Sequence, residues 1–339
     1  MLGWGYPPDI DGGLDVHVAR LFEELQGLGV DVTLALPEER APDREGIVGL
    51  DAGEGDMMEK TRNLSQEFLE LAEEYDIVHT HDWFGSEPGL KAKKYSDALW
   101  AATFHSLSSQ RNRSPSDRMV EMERGIIERA DELIAVSQML ADDIEEKYGR
   151  EPQVIHNGFS TAESGGRDVK EELGIHGEMV LYVGRHAEQK GLEHLLYGFK
   201  KFLQEREATL VLGGDGHMRP ALEEFVEILG IEDRVVFEGF IPEEELGDYY
   251  GGAEVFVSPS INEPFGLTVT EAVEAGTPVV ATRSGAEEVL PGNAVVSVEP
   301  DSDSIKNGIE EALGREVGNF KSRTWMEVAE EVREVYRNL

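Results

Sequence analysis

The chain has 339 residues, and its 69 Asp and Glu against 31 Lys and Arg give a formal net charge of −38 at pH 7. An acidic excess of this size argues against nucleic acid or an anionic membrane as partner, because both are bound through clustered Lys and Arg. The absence of cysteine excludes disulfides, thiolate nucleophiles and cysteine zinc sites.

Length and hydropathy set the broad class of protein. No apolar run approaches the length of a membrane span, and the opening MLGWGYPPDIDGGLDVH lacks the basic start and long apolar core of a signal peptide. We therefore expect a cytoplasmic protein without a membrane span. The acidic composition is typical of a halophilic protein, in which salt screens the repulsion between carboxylates. The length suffices for two domains.

The first half of the chain alternates short, β-branched strands with amphipathic helices, which predicts a parallel sheet covered by helices. Helices are predicted at 14–28 and 119–130. The predicted strands are residues 1–5, 30–37, 76–81, 99–105, 132–137 and 153–157. The first of these is short because Pro7 follows it, so either natural residues precede Met1 or the strand itself is short.

A glycine pair, Gly12 and Gly13, lies between the first strand and the first helix. Glycine there lets the main chain approach a ligand, and the start of the helix offers free amides to an anion. A simple connecting turn explains the pair equally well, so the pattern alone leaves both readings open.

Polar residues follow two strands of the first domain. His81 and Asp82 end one strand and His105 ends the next, so all three are expected at one rim of the sheet. A packed or solvated role is the common one for a single histidine, whereas two at neighbouring strand ends favour a functional site. A metal site is disfavoured, because no third ligand lies at a standard spacing.

The segment 106–118 follows His105 and carries Arg111, Arg113 and Arg118. It lacks apolar periodicity and is therefore predicted to be a mobile loop. Further along, residues 158–174 are rich in Gly, Ser and charged side chains, which is typical of a connection between domains.

This connection predicts two domains, residues 1–158 and 175–322. The last helix, within residues 323–339, is expected to return to the first domain. A second series of strands runs through the second domain, at residues 179–185, 208–216, 234–240, 254–260, 278–282 and 294–298. The turn GGDG at 213–216 lacks the spacing of a dinucleotide fingerprint and is interpreted as a tight turn.

Arg185 and Lys190 follow the first strand of the second domain. The carboxyl ends of strands are where doubly wound sheets bind ligands. Arg donates to two phosphate oxygens and Lys supplies a compact charge, so the pair is a candidate phosphate site. Two solvated surface charges are the alternative.

The stretch SINEPFGLTVTEAVEAG predicts a loop followed by a helix that ends near Gly276. Glu263 lies just before that helix and Glu271 about two turns inside it. Carboxylates accept hydrogen bonds from hydroxyl groups, and free helix amides bind phosphate. Two carboxylates on either side of such amides fit a nucleoside diphosphate sugar. The amides are those of Phe265, Gly266, Leu267 and Thr268.

At this point the chain resembles the retaining glycosyltransferases of the GT-B fold, of family 4 type, in the group that includes glycogen synthase-like enzymes. The segments that carry the resemblance are GGL, ADELIAVSQ, VIHNG, VLYVGRHAEQKG and the E-x7-E pair in SPSINEPFGLTVTEAVEAGTPVVAT, in the expected order. The resemblance covers nearly the whole chain. It implies two Rossmann-like domains facing a cleft, with the acceptor bound on the first domain and the nucleotide sugar on the second.

The resemblance also implies roles by position. Arg185 and Lys190 match the basic pair that neutralises the donor diphosphate, and Gly13, beside Gly12, matches the glycine loop that faces it. Glu263 matches the acidic residue near the sugar hydroxyls, and Glu271 the one that holds the ribose.

On the first domain, His105 matches the histidine near the reacting carbon of the sugar. His81 and Asp82 match an HDW motif and are assigned to the acceptor side. The implied reaction retains the configuration of the anomeric carbon and uses no metal and no cofactor. The catalytic residues are then His105, Arg185, Lys190 and Glu263.

One departure from the family narrows the substrate. Bacterial glycogen and starch synthases have Lys two residues before the glycine pair, where this chain has Ile10. ADP-glucose and glucan elongation are therefore in doubt, and UDP-glucose is an equally good donor. An epimerase or hydrolase on the same scaffold, and a binding protein without catalysis, are the competing functions.

The acceptor is an unknown sugar or an anionic molecule. Arg111 and Arg113 follow His105, so they could hold an acceptor phosphate or carboxylate. The alternative is that they pair with nearby acidic residues.

Overall fold

The computed structural model describes residues 1–111, 114–160, 164–318 and 320–339. It divides into two compact units, Met1–Gly158 with Arg323–Leu339 and Phe159–Ser322. No helix in the described ranges is both long and apolar enough to cross a membrane.

The first unit contains parallel strands flanked by helices. Its strands are β1 (Leu34–Pro37), β2 (Ile47–Leu50), β3 (Ile77–His81), β4 (Leu99–Phe104), β5 (Glu132–Ala135) and β6 (Gln153–Val154). The helices before the connection are α1 (Gly13–Gly27), α2 (Met57–Ala72), α3 (Ser86–Tyr95), α4 (Ser108–Arg111), α5 (Asp117–Arg129) and α6 (Gln138–Tyr148).

The N-terminal segment joins the two sheets of this unit. β1 pairs with β2, and β3 to β6 form a second sheet in chain order. The amide of Leu2 donates to the carbonyl of His79 at 2.9 Å, and the amide of Ala35 donates to the carbonyl of Met1 at 2.8 Å. The strand predicted at 1–5 is therefore reduced to one bridge between Leu2 and Ala35. The chain then turns, and Tyr6 pairs with Asp9.

The second unit is a six-stranded parallel sheet with helices on both faces. Its strands are β7 (Glu178–Val183), β8 (Ala208–Gly213), β9 (Val235–Gly239), β10 (Val255–Ser258), β11 (Val279–Thr282) and β12 (Val295–Val298). Its helices are α7 (Val169–Glu172), α8 (Leu192–Phe202), α9 (Arg219–Leu229), α10 (Glu243–Gly252), α11 (Leu267–Glu274) and α12 (Ser302–Ala312).

The strand order of this sheet is β12-β11-β10-β7-β8-β9. The chain moves outward from β7 to β9, returns, and moves outward from β10 to β12. Strand order reverses between β7 and β10, and in doubly wound sheets the carboxyl ends at such a reversal form the ligand crevice. Apolar cores cover both faces, with Phe199 and Leu210 in one and Phe256 and Leu181 in the other. The strands are therefore continuous apolar runs.

The last helix, α13 (Trp325–Asn338), belongs to the first unit and contacts α1. Its buried face includes Trp325, Val328 and Val332. The hydroxyl of Thr324 accepts a hydrogen bond from the Glu327 amide, and the Glu327 carboxylate accepts from the Thr324 amide, so the helix begins with a capping box.

The predicted α/β class, with parallel sheets in two units, is confirmed. Strand β2 was not predicted. Half of this strand is exposed, since Val48 and Gly49 face solvent. The short sequence IVGL therefore lacks the alternation of apolar and polar residues that would predict a strand.

Candidate functional site

Lys190 and Glu263 meet where strand order reverses in the second unit. Lys190 follows β7 and Glu263 follows β10, and the Lys190 Nζ lies 2.6 Å from the Glu263 Oε2. The hydroxyl of Ser260 donates to the same Glu263 oxygen at 2.9 Å. Both charged side chains are half-buried, so the pair is screened less than a surface ion pair. The fold thus brings together two residues predicted from separate motifs.

Arg185 lies in the same β7 loop and is exposed. The hydroxyl of the buried Tyr182 donates to the main-chain carbonyl of Arg185 at 3.0 Å, which fixes the backbone of this loop. In the ranges that the structure describes, no carboxylate forms an ion pair with the Arg185 guanidinium. The arginine is therefore available to an anion from solution.

Helix α11 begins beside Glu263. Its N-cap, Gly266, has a φ of 98°, which favours glycine, and a Cβ there would make a tight contact of 3.1 Å with the Glu263 Cγ. The first-turn amides of Leu267 and Thr268 have no acceptor within the helix. The carbonyl of Phe265 accepts from the Ala286 amide at 2.7 Å, which holds the loop. Helix amides and two carboxylates therefore share one end of the sheet.

Glu271 is held by a tyrosine from a neighbouring helix. The hydroxyl of Tyr250, on α10, donates to the Glu271 Oε2 at 2.9 Å. Burial raises the pKa of Tyr250 well above its usual value, so this hydroxyl stays a donor. The contact fixes the direction of the Glu271 carboxylate.

In the first unit, α1 starts at Gly13, one residue before the predicted helix, and both glycines of the pair are exposed. A Cβ built on Gly12 meets nothing within 4 Å, so neighbouring atoms do not demand glycine there. The buried carboxylate of Asp15 accepts from the Asp11 amide at 2.8 Å and holds the preceding loop to the helix.

His81 and His105 lie together at the predicted strand ends, and α1 adds His17. The His81 Nδ1 is 3.2 Å from the His105 Nε2, and the ring centroids of His17 and His105 are 4.5 Å apart. The His17 Nδ1 is 2.8 Å from the Asn157 Oδ1. Burial lowers the pKa of His105 to about 3 and that of His17 and His81 well below the usual value, so all three rings are neutral at pH 7.

Asp82 is buried and organises the segment after β4. Its carboxylate accepts from the His105 amide at 2.7 Å and from the Arg111 Nη1 at 2.8 Å. Burial raises the pKa of Asp82, and the contact with Arg111 opposes that rise. Arg111 also lies 3.8 Å from the buried carboxylate of Glu123. Within the segment predicted to be a mobile loop, Ser108–Arg111 form α4 and Arg118 lies in α5, whereas Arg113 lies outside the described residues.

Three residues of these clusters were not predicted. His17 carried one signal, since it lies within two turns of the glycine pair on the buried face of α1. Ser260 precedes Glu263 in the same loop. Tyr250 is 21 residues from Glu271 on another helix, and nothing in the sequence marks it.

Comparison with protein families matches both halves of the chain. The model described as Glycosyltransferase Family 4 matches residues 11–163, and the model described as Glycosyl transferases group 1 matches residues 168–330.

Individual relatives agree with these families. D-inositol 3-phosphate glycosyltransferase of Thermobifida fusca is 30% identical over 319 residues, with 81% of this chain and 73% of the relative covered. A glycosyltransferase of Methanocaldococcus jannaschii is 29% identical over 379 residues, with 99% and 97% covered. The solved structure of sucrose-phosphate synthase from Thermosynechococcus elongatus matches with a TM-score of 0.84 at 25% identity, covering 98% of this chain and 94% of that one. The chain therefore belongs to the group 1 and family 4 glycosyltransferases, and its fold is GT-B.

Proposed function

We propose that this glycosyltransferase moves a hexose, with glucose as the first candidate, from a nucleoside diphosphate sugar to a hydroxyl group, with retention at the anomeric carbon. The observation that carries the proposal is the contact between Lys190 and Glu263 where strand order reverses between β7 and β10, with Arg185 in the same loop as Lys190. Cations next to a carboxylate and free helix amides suit a ligand that combines phosphates with hydroxyl groups.

The donor diphosphate is assigned to Arg185, Lys190 and the amides of Leu267 and Thr268. The Lys190 ammonium donates to the Glu263 carboxylate. On binding, we expect Lys190 to contact a phosphate oxygen, while Glu263 turns to a sugar hydroxyl and keeps its bond from Ser260. Glu271, oriented by Tyr250, is assigned to the ribose hydroxyls.

The chemical step breaks the bond between the anomeric carbon and the diphosphate oxygen. The acceptor oxygen forms the new bond on the same face, and its proton passes to the leaving phosphate. Arg185 and Lys190 stabilise the negative charge that grows on the diphosphate as this bond breaks, which is the contribution that fixed charges make to such steps. The chain's own cations thus suit a reaction without a metal. His105 is assigned to the transferred sugar.

We propose an anionic acceptor. The D-inositol 3-phosphate glycosyltransferase and the sucrose-phosphate synthase found above both carry a phosphorylated compound in their names. In this chain Arg111 is the described candidate for holding such a group. Its Nη1 is bonded to Asp82, whereas its Nε and Nη2 are buried without a hydrogen-bond partner among the described residues. Acceptor binding must then rearrange this guanidinium or the side chains that cover it.

The test is a screen of UDP-, ADP- and GDP-hexoses for release of nucleoside diphosphate, with and without phosphorylated and neutral acceptors. We expect transfer from at least one donor, and proton NMR of the product should show the anomeric configuration of the donor. Release of free sugar or of an epimer with every acceptor would contradict the proposal, and so would an inverted product.

A matched pair of variants tests the site itself. Lys190→Gln should lower turnover on the order of 10²–10³-fold, the usual loss for one charge-stabilising donor. Lys201→Gln removes a lysine of α8 that pairs with Asp303, and it should leave turnover unchanged. Equal activity in the two variants would remove Lys190 from the catalytic machinery.

A further inference from the structure

Two histidines at neighbouring strand ends of the first unit are bonded ring to ring. His81 ends β3 and His105 follows β4, and the His81 Nδ1 lies 3.2 Å from the His105 Nε2. His81 is completely buried, whereas His105 is half-buried. Because the Nε2 of His105 is bonded to His81, Nδ1 is the nitrogen that His105 has left for a ligand. Any part that His81 plays in the reaction therefore passes through His105.

The His105 ring is held from several sides. Its main-chain amide donates to the Asp82 carboxylate at 2.7 Å. The ring centroid lies 4.5 Å from that of His17 and 5.4 Å from that of His81. His81 in turn stacks on His79, with centroids 4.6 Å apart. With the rings fixed, the pair of His81 and His105 has two possible arrangements of its protons.

The two arrangements differ in what they leave unpaired inside the protein. A neutral imidazole carries one proton, on Nδ1 or on Nε2, and burial keeps both rings neutral by lowering their pKa values. If His105 donates from Nε2, the His81 proton must be on its own Nε2, a buried atom without a hydrogen-bond partner among the described residues. If His81 donates from Nδ1, its Nε2 is a bare lone pair and the His105 proton is on Nδ1.

The second arrangement is favoured, because a buried N–H group without an acceptor is rarer in proteins than a buried acceptor without a donor. His17 follows the same rule. Its Nδ1 lies 2.8 Å from the Asn157 Oδ1 and so carries the proton, which leaves its buried Nε2 bare. We propose that His81 is a positioning residue, which donates from Nδ1 to the His105 Nε2 and so holds the His105 proton on Nδ1. The proposal rests on the assignment of His105 to the transferred sugar.

Held in this way, His105 offers the sugar a neutral hydrogen-bond donor. An N–H group at a fixed position selects an oxygen that accepts, as a sugar hydroxyl does. Positive charge grows at the anomeric carbon as a glycosidic bond breaks, and a neutral donor orients the sugar without adding a repelling charge. The opposite tautomer would present a lone pair and would bond only to a hydroxyl that donates.

Nuclear magnetic resonance determines the tautomer without any need for activity. In the full chain labelled with ¹⁵N at histidine, long-range proton–nitrogen correlation at about pH 8, above the usual histidine pKa of about 6.5, distinguishes the two neutral forms. The His105 signals are identified by their loss in His105→Asn. His217, whose Nε2 lies 2.8 Å from the exposed Glu188 carboxylate, is the reference for a proton on Nε2. We expect the His105 proton on Nδ1, and a proton on Nε2 would overturn the proposal.

Replacement of His81 separates positioning from packing. His81→Asn keeps an amide N–H near the position of Nδ1, and turnover should stay near that of the wild type. His81→Leu has no donor, so the His105 proton should move to Nε2 and turnover should fall about tenfold, the loss expected for one hydrogen bond. Tyr336→Phe is the control, because the Tyr336 hydroxyl is bonded to the neighbouring His79 and should affect neither readout.

Equal turnover in His81→Asn and His81→Leu, or a His105 proton that leaves Nδ1 in Tyr336→Phe, would show that His81 only packs. If His81→Leu does not fold, the wild-type spectrum still decides between the two tautomers. A lack of transfer from every donor would contradict the proposed function instead, since the spectrum is recorded without substrate.

Discussion

At the scale of single residues, burial determines the chemistry of the first unit. His79 stacks on His81, with ring centroids 4.6 Å apart, and is fully bonded, with its Nδ1 2.6 Å from the Tyr336 hydroxyl and its Nε2 2.8 Å from the Thr103 hydroxyl. Burial lowers the pKa of His79 well below its usual value. With His17, His81 and His105, four imidazoles stay neutral in the folded unit, whereas all four can be protonated in the unfolded chain.

This difference predicts a loss of stability in acid. Because the folded-state pKa of each histidine is depressed, the unfolded chain binds more protons once the pH falls below about 6.5. The free energy of unfolding should then decrease with a slope of up to about 1.4 kcal/mol per pH unit for each histidine, and for His105 the decrease continues to about pH 3. Asp15 and Asp82, whose pKa values burial raises, act in the opposite sense but are two groups against four.

Tryptophan fluorescence measures the pH dependence of the free energy of unfolding for the first unit alone. All four tryptophans of the chain, Trp4, Trp83, Trp100 and Trp325, lie in that unit. Urea unfolding followed by their emission between about pH 7.5 and about pH 5, across the unfolded histidine pKa, gives the slope. His105→Asn should flatten it, and His217→Gln should not. A stability independent of pH in this range would show that the histidines are not buried as neutral rings.

A second residue-scale prediction concerns Tyr250. Tyr250→Phe keeps the ring and removes the hydroxyl that orients Glu271. A hydrogen bond to a charged group contributes about 1.5 kcal/mol or more, so donor KM should rise about tenfold. The turnover number should hold, because the ribose contact is the same in substrate and transition state.

Tyr249→Phe is the matched control for this change. The adjacent Tyr249 hydroxyl donates to Glu238 instead, at 2.6 Å. A donor KM that rises equally in both variants would indicate a general loss of packing in α10 and not a role in holding Glu271.

The candidate site could be predicted only where it follows strand ends. Arg185, Lys190, Glu263 and His105 all lie in the segments that follow strands, and carboxyl ends of parallel strands converge at one edge of a sheet. Their positions were therefore accessible from the sequence, and their roles stay predictions. Tyr250 and His17 project from helices, and their contacts depend on packing between elements that periodicity does not specify.

At the scale of elements, apolar runs located the strands but not their pairing. The predicted segments at 76–81 and 99–105 agree closely with β3 and β4. The strand predicted at 30–37 is shorter in the structure, where it is β1, because the main chain pairs with β2 only from Leu34 onward. The strand predicted at the N-terminus is only one bridge, and β2 was not predicted. A short or half-exposed edge strand depends on its neighbours for its conformation.

The capping box of α13 gives an element-scale prediction. Thr324→Ala removes the side chain that accepts from the Glu327 amide and should lower the free energy of unfolding of the first unit by about 1 kcal/mol. Thr324→Ser keeps the hydroxyl and should stay near wild type. The measurement is urea unfolding followed by tryptophan emission, since Trp325 begins this helix. Equal stability in the two variants would show that the cap contributes nothing.

At the scale of the whole molecule, carboxylates outnumber their partners. The chain has 69 Asp and Glu for 31 Lys and Arg, and many of the cations already pair with an acid, as Arg167 does with Glu172 and Lys170 with Glu254. Exposed pairs of this kind contribute little, with a median of about 0–1 kcal/mol. The unpaired carboxylates repel one another, and the folded state holds them closer together than the unfolded chain does.

Stability should therefore rise with salt until repulsion is screened. The Debye length falls from about 10 Å at 0.1 M to about 3 Å at 1 M, so most of the effect should appear below about 1 M. Between about 0.1 M and about 1 M KCl we expect Tm to rise by more than about 4 °C, the shift that about 1 kcal/mol produces in units of this size. NaCl should match KCl, and sucrose, an uncharged excluded solute, separates screening from exclusion. A Tm that is unchanged by KCl, or that rises only above about 1 M and equally in sucrose, would show that carboxylate repulsion does not limit the stability of this fold.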